Sequence, residues 1–139
     1  MKHTLSNASR KRLSAAVANR LSELSDKILA AYVFGSFAAG KPYSDMDLGI
    51  LMLNDPSNPV VFEIEIETEL EKIAACPVDI RILNRAPLSF CQQVIRTGEV
   101  ILDSDPDTRA DFEGRTLKKY FDFSRFRTRY LREVCHAPL

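Results

Sequence analysis

The sequence has no hydrophobic run long enough to cross a membrane, although hydrophobic residues make up 45% of its 139 positions. Its first residues, MKHTLSNASRKRL, also lack the apolar stretch of a secretory signal. We therefore expect a cytoplasmic protein with no membrane partner. The length suits a single domain over residues 1–139, with a core at about 7–103 and a C-terminal helical region at about 105–135.

Cysteine and histidine are scarce. The three cysteines, Cys76, Cys91 and Cys135, are an odd number without metal-ligand spacing, which predicts free thiols in a reducing compartment. The two histidines, His3 and His136, lie far from any motif in the sequence. We therefore expect neither a cysteine metal site nor a catalytic histidine.

The chain has no net charge, because 19 basic residues balance 19 acidic ones. The charges are unevenly spread, and residues 27–104 carry eleven acidic but only six basic side chains. An acidic centre argues against nucleic acid as a direct ligand there and is compatible with a cation site. Five of the acids lie between Glu63 and Glu71, where we expect a solvated surface.

Helical and strand patterns alternate along the chain, which predicts an α/β (α+β) fold. The predicted helices cover about 7–24, 61–76, 86–97 and a C-terminal region from 105 towards 134, with a possible break at 122–124. The predicted strands cover 28–34, 48–53, 78–83 and 100–102. Residues 61–76 begin with a period of two, but their later helical spacing favours a helix. On the first helix we expect the basic residues to face solvent: Arg10, Lys11, Arg12 and Arg20.

The segment from Ala31 to Leu53 combines two features that suit a phosphorylated ligand. A strand ending in Gly35-Ser36 can turn into a helix N-terminus, where backbone N–H groups and a hydroxyl suit a phosphate. Asp45 and Asp47, two residues apart on an extended chain, point their carboxylates to one side and repel unless a cation lies between them. Hard oxygen ligands beside a phosphate-binding turn favour Mg²⁺. Each half alone is also typical of an ordinary turn, but together they predict metal-assisted chemistry on a nucleoside triphosphate.

Asp79 is a carboxylate in the middle of a short apolar strand, where a charge is costly without a partner. Two explanations are open. Asp79 can form a structural ion pair with a base such as Arg81 or Arg96, or it can be a third metal ligand. The other two carboxylates favour the metal.

The segment Gly35-Ser36-Phe37-Ala38-Ala39-Gly40, followed by Ser44-Asp45-Met46-Asp47-Leu48, resembles the signature of the DNA polymerase β-like nucleotidyltransferases. It is most similar to the minimal nucleotidyltransferases of the MNT type, and the likeness extends through VDIRIL and PLSFCQQVIRTGEVIL to the C-terminal RADFEGRTLKKYFDF. Two departures stand out. The loop from Gly40 to Asp45 is about two residues shorter than usual, and Ala39 replaces a frequent arginine.

The resemblance implies a fold, a site and a partner. It implies a small mixed sheet flanked by helices, with ATP as substrate and two Mg²⁺ ions as cofactors. It assigns nucleotide binding to Gly35, Ser36 and Ser44, and metal binding and catalysis to Asp45, Asp47 and Asp79. MNT proteins are commonly paired with HEPN-domain proteins, so it further implies an antitoxin in a hetero-oligomer that transfers AMP to a tyrosine of a HEPN ribonuclease toxin.

Two other functions are compatible with the sequence. The shortened loop and Ala39 suit an antitoxin that neutralises its partner by binding alone. A small-molecule nucleotidyltransferase, such as an antibiotic-modifying enzyme, needs an acceptor-binding region for which 139 residues leave little chain.

Aromatic and aliphatic residues crowd the C-terminal region beyond what one small sheet can cover. We expect about half of them to pack on the domain and the remainder to contact a protein partner. They are Phe112, Leu117, Tyr120, Phe121, Phe123, Phe126, Tyr130, Leu131 and Val134.

Overall fold

The structure, a computed structural model, describes residues 2–135, without the side chain of Cys135. Its helices are α1 (Asn7–Leu24), α2 (Gly35–Ala38), α3 (Pro59–Ala74), α4 (Leu88–Thr97) and α5 (Pro106–Cys135). Its strands are β1 (Ile28–Phe34), β2 (Met46–Met52), β3 (Val78–Ile82) and β4 (Glu99–Asp103).

The four strands form one mixed sheet in the order β3-β2-β1-β4. Strand β1 pairs antiparallel with β2 and β4, whereas β2 and β3 are parallel. One face packs on α1 and α3 through residues such as Val17, Leu70 and Leu48. The other face packs on α4 and the start of α5 through Tyr32, Val94 and Phe112. The prediction of an α/β fold with a small mixed sheet flanked by helices is confirmed.

The first two predicted elements have the predicted bounds, and residues 59–74 are helical as the later spacing indicated. Helix α3 ends at Ala74 and not at Pro77, because Ala75 adopts a left-handed conformation with φ of 57°. Helix α4 begins at Leu88, so Pro87 precedes its first turn. Strand β2 begins two residues before its predicted start and therefore includes Asp47. Strand β4 is one residue longer at each end than predicted.

Helix α5 is continuous, so the break predicted at residues 122–124 is wrong. The polar residues there lie at the surface, where a helix tolerates them without kinking. Asp105 caps the helix by accepting hydrogen bonds from the Thr108 N–H and hydroxyl. The first half of the helix packs on the sheet, and Tyr32 donates a hydrogen bond of 2.7 Å to Glu113. Further along, six large apolar side chains are exposed: Phe121, Phe123, Phe126, Tyr130, Leu131 and Val134.

None of the acidic residues on α3 is buried, as expected of a solvated surface, but three of them also make defined contacts. Glu69 forms ion pairs of 3.0 Å with Arg20 and 2.9 Å with Lys72. Glu71 accepts a hydrogen bond of 3.1 Å from the Val78 N–H, and Glu67 accepts one of 3.4 Å from the Ile80 N–H. Two carboxylates thus cover the outer edge of β3, which is the last strand of the sheet on that side.

Candidate active site

The turn that follows β1 brings Gly35 against the carboxylate of Asp47. Phe34 and Asp47 are register partners in the antiparallel pair of β1 and β2. A Cβ atom on Gly35 would lie 2.6 Å from Asp47 Oδ2, and the backbone of Gly35 has φ of +75°. The positive φ favours glycine, and a side chain here would also displace the Asp47 carboxylate. The two halves of the predicted site therefore touch in the folded chain.

The three predicted carboxylates lie at one end of the sheet. Asp47 and Asp79 are register partners on the parallel strands β2 and β3, and Asp45 directly precedes β2. Partners in such a register present their side chains to the same face. Burial of Asp47 raises the pKa of its carboxyl, and the charges of Asp45 and Asp79 raise it further, while Arg81 opposes them. The three carboxylates are therefore electrostatically coupled.

Asp79 differs from its sequence-based description because its side chain is exposed. The premise of a buried carboxylate is wrong, since β3 turns Asp79 to the same open face as Asp47. Within residues 2–135 no ion pair joins Asp79 to Arg81 or Arg96. The structural ion pair that was the alternative explanation for Asp79 is therefore not formed.

The chemistry of this donor set fits a hard divalent cation. It offers carboxylate oxygens only, and the pKa of Asp47 is raised first by burial and then by the charges of Asp45 and Asp79, whose repulsion a cation would relieve. In the part of the chain that the structure describes, no three His, Cys, Asp or Glu side chains converge closely enough to hold a metal ion. Like charges resist such convergence until a cation is present, so an open arrangement of carboxylates is the expected apo geometry.

The remaining predicted nucleotide-binding residues line the approach to this end of the sheet. Gly35, Ser36 and Ser44 are all exposed. Phe34 immediately precedes α2, and its side chain cannot accept a hydrogen bond. The first N–H groups of α2 therefore have no side-chain cap. The hydroxyl groups and these N–H groups are therefore accessible to an anionic ligand.

Arg10 is buried, so the expectation that it faces solvent on α1 is wrong. Its guanidinium donates hydrogen bonds to the carbonyl oxygens of Leu5, Phe37 and Lys41. A signal was present in the sequence. Arg10 precedes Val17 by seven residues, so it continues the apolar stripe of the helix rather than its polar face.

His3 lies closer to the site than its sequence position suggested. Its backbone forms a bridge with Tyr43, and the two rings are 5.5 Å apart. Tyr43 immediately precedes Ser44, so the N-terminal segment supports the loop before Asp45. The other histidine, His136, lies outside the described residues.

An arginine and two aromatic rings border the carboxylates on the same face of the sheet. The Arg81 guanidinium lies over the ring of Phe90 at 5.7 Å, and that ring meets Phe34 edge-on at 5.5 Å. Arg81 also lines a cleft of about 610 Å³ with Arg85 and Ser57. The positive charge of Arg81 thus acts on Asp47, and the same side chain borders the cleft.

No helix within residues 2–135 is long and apolar enough to cross a membrane.

A family model described as polymerase beta, nucleotidyltransferase matches residues 17–107. The match includes Gly35, Ser36, Ser44 and all three carboxylates, but not Arg10. Among proteins of curated function, none matches the chain at a significant level.

Solved structures share the fold at low sequence identity. The MNT antitoxin in complex with a tri-AMPylated HEPN toxin of Shewanella oneidensis is 23% identical, with a TM-score of 0.67 over 90% of this chain and 98% of that chain. A toxin–antitoxin structure with AMP-PNP is 23% identical, with a TM-score of 0.71 over 87% and 98%. The toxin–antitoxin MntA–HepT is 22% identical, with a TM-score of 0.68 over 89% and 98%.

Proposed function

The chain belongs to the polymerase β nucleotidyltransferase family, and from this premise we propose that it is an antitoxin that transfers AMP from ATP to a tyrosine of a HEPN-domain toxin. The observation that carries the proposal is the contact between Gly35 and the Asp47 carboxylate, with Asp79 in register beside it. Nucleotidyl transfer requires a phosphate-binding turn next to metal-binding carboxylates, and the proximity of Gly35 to Asp47 supports these roles.

The residues of the site have distinct roles in the proposed reaction. Gly35, Ser36 and Ser44 bind the triphosphate through N–H and hydroxyl groups. Asp45, Asp47 and Asp79 hold two Mg²⁺ ions, which supply neutralisation of phosphate charge and a lower pKa of the attacking hydroxyl. The tyrosine oxygen forms a bond to the α-phosphorus, the bond to the β-phosphate breaks, and pyrophosphate leaves. Asp79, exposed on the open face, accepts the tyrosine proton.

The choice of a protein acceptor rests on the solved structures of the same fold. One of them is an MNT antitoxin in complex with a HEPN toxin that carries AMP, and another toxin–antitoxin pair was solved with an ATP analogue. These neighbours support ATP as donor and a HEPN protein as acceptor, in a hetero-oligomer. The buried free thiols of Cys76 and Cys91 suit the reducing cytoplasm as the place of action.

The test is to incubate the protein with Mg²⁺, a HEPN-domain protein from the neighbouring reading frame and ATP labelled in the α- or the γ-phosphate. Transfer of AMP labels the HEPN protein from α-labelled ATP only. Asp45→Asn with Asp47→Asn should abolish labelling, and Asp79→Asn should lower it by orders of magnitude with little change in melting temperature, because Asp79 is exposed and unpaired. Full activity of the double variant contradicts the site.

A second candidate is an antitoxin that acts by contact alone. It is favoured by the shortened loop from Gly40 to Asp45 and by Ala39, which offers no positive charge to the phosphates. The same experiment separates the two, since a binding antitoxin suppresses toxin activity without labelling and does so equally well as the Asp45→Asn/Asp47→Asn variant.

A further inference from the structure

Arg10 lies beneath the loop that connects α2 to β2, and it bonds the last turn of α2 to the first part of that loop. Nη1 donates to the Phe37 carbonyl at 2.7 Å, and Nη2 donates to the Lys41 carbonyl at 2.9 Å. Nε donates to the Leu5 carbonyl at 3.1 Å, which fixes the guanidinium to the start of α1. One planar group therefore bridges the two sides of the turn at Gly40.

Two aromatic rings, one from α2 and one from the loop, contact the guanidinium. The rings of Phe37 and Tyr43 lie 5.3 Å and 5.4 Å from its central carbon, and they meet each other edge-on at 4.9 Å. Such contacts favour a cation over an apolar side chain. Arg10 thus contacts the loop at Phe37, Lys41 and Tyr43, in a stretch that ends two residues before Asp45.

This arrangement is costly as a device for stability. Arg10 is only 8% exposed, and in the described part of the chain no carboxylate forms an ion pair with it. A buried charge without a counter-ion loses much of its hydration energy.

We propose that Arg10 is a positioning residue for nucleotidyl transfer, an inference that rests on the proposed function. It sets the distance between the Gly35-Ser36 turn, which binds phosphate, and Asp45, which binds metal. It does not touch the substrate, and it acts through the carbonyl groups of Phe37 and Lys41. An error of about 1 Å in such a distance can lower the rate about a hundredfold.

The inference is tested with Arg10→Lys and Arg10→Gln against Arg20→Ala. Lysine keeps the positive charge but lacks the planar guanidinium that bridges two carbonyl groups. We therefore expect that the charge alone does not restore transfer activity. Arg20 lies on the same helix but is ion-paired with Glu23 and Glu69 at 3.0 Å, away from the loop. Arg20→Ala therefore shows the effect of removing an α1 arginine that does not contact the loop.

Three measurements are made on the full chain. Thermal melting gives the folded fraction, and transfer assays give kcat/KM for ATP and the Mg²⁺ concentration for half-maximal rate per folded molecule. Amide hydrogen exchange in residues 35–45 needs no activity. Arg10→Lys should lower kcat/KM about ten- to a hundredfold, raise the Mg²⁺ requirement and accelerate exchange in residues 35–45 while α3 is unchanged. Arg20→Ala should alter none of these beyond about twofold.

The opposite results overturn the assignment. Equal kcat/KM in Arg10→Lys and Arg20→Ala shows that Arg10 does not position the site. Exchange that rises evenly over α1, α3 and the sheet shows that it serves only stability. A wild-type protein that transfers no AMP overturns the proposed function instead, and unchanged exchange in Arg10→Lys would then separately reject the role of Arg10 in the loop.

Discussion

At the scale of single residues, Gly35 offers the sharpest test of the site, because Gly40 supplies a matched control. Both glycines have φ of +75°, but a Cβ on Gly40 would meet no atom within 4 Å, whereas one on Gly35 would meet Asp47 Oδ2 at 2.6 Å. Alanine at either position costs about 1–2 kcal/mol of backbone strain. Only Gly35→Ala should also displace a carboxylate of the site.

We therefore expect Gly35→Ala to lose transfer activity at least about a hundredfold, while Gly40→Ala retains it at a similar melting temperature. Transfer assays beside thermal melting check both variants. Equal activity of the two alanine variants would contradict the contact between the turn and Asp47.

Asp47 gives a prediction about pH. Its folded-state pKa is raised above the ordinary value of 3.8, so the ionised carboxylate destabilises the apo protein once the pH exceeds that raised pKa. Asp47→Asn should raise the melting temperature at pH 7, and the gain should shrink as the pH falls through the raised pKa and disappear below 3.8, where the carboxyl is protonated in both the folded and the unfolded chain. Mg²⁺ should stabilise the wild type more than the variant. A gain that is constant with pH would contradict the coupling.

The residues of the site were predictable from sequence to different degrees. Gly35, Asp45 and Asp47 lie on one continuous segment, so their spacing carries the information. Asp79 was selected for a burial that it does not have, because the sequence does not show whether other elements cover the face of the strand on which Asp79 lies. Arg10 was missed because its carbonyl partners are 27 and 31 residues away and form no pattern in the sequence.

At the scale of elements, the second half of α5 is the surface that we expect to bind the HEPN partner. Six exposed apolar side chains lie there among Arg125, Arg127 and Arg129, which gives anchors with a basic rim. The carboxylates lie on the sheet and remain free for metal and nucleotide.

Charge reversal at Arg127 and Arg129 to Glu should weaken the complex by tenfold or more and reduce transfer to the HEPN protein, while ATP binding is unchanged. The matched control is Lys11→Glu with Arg12→Glu, which makes the same charge change on exposed residues of α1. Titration calorimetry with the partner distinguishes them. Weakening by the α1 variant alone would move the interface to that helix.

Helices and strands were predicted well where the hydrophobic periodicity continued over many residues. Helix α3 was identified despite its alternating start, because leucine and isoleucine keep helical spacing as far as Ala74. The break in α5 was inferred from composition, yet no glycine or proline lies at 122–124 to enforce one. Strand order and the covering of β3 by glutamates depend on tertiary contacts that local patterns do not encode.

At the scale of the whole molecule, we propose that the core and α5 unfold together as one domain. Tyr32 in the central strand β1 donates to Glu113, and Arg109 forms ion pairs of 2.9 Å with both Glu113 and Asp103. These contacts join the helix to two strands.

Urea unfolding followed by circular dichroism and by tyrosine fluorescence should give coincident single transitions. Tyrosine is the suitable probe because the chain has no tryptophan. Tyr32→Phe should lower the free energy of unfolding by about 1–2 kcal/mol without separating the two curves. Two separate transitions would show that α5 folds independently.

The glutamates along β3 have a consequence for how the protein behaves in a crowded cell. An unpaired strand edge is a template on which further copies can assemble into insoluble sheets, and Glu67 and Glu71 occupy the two N–H groups that such a copy would need. Glu67→Ala with Glu71→Ala should raise light scattering on storage, with Glu63→Ala and Glu65→Ala as control. Burial raises the pKa of Glu67, so mild acid should protonate this carboxylate and weaken the barrier to precipitation.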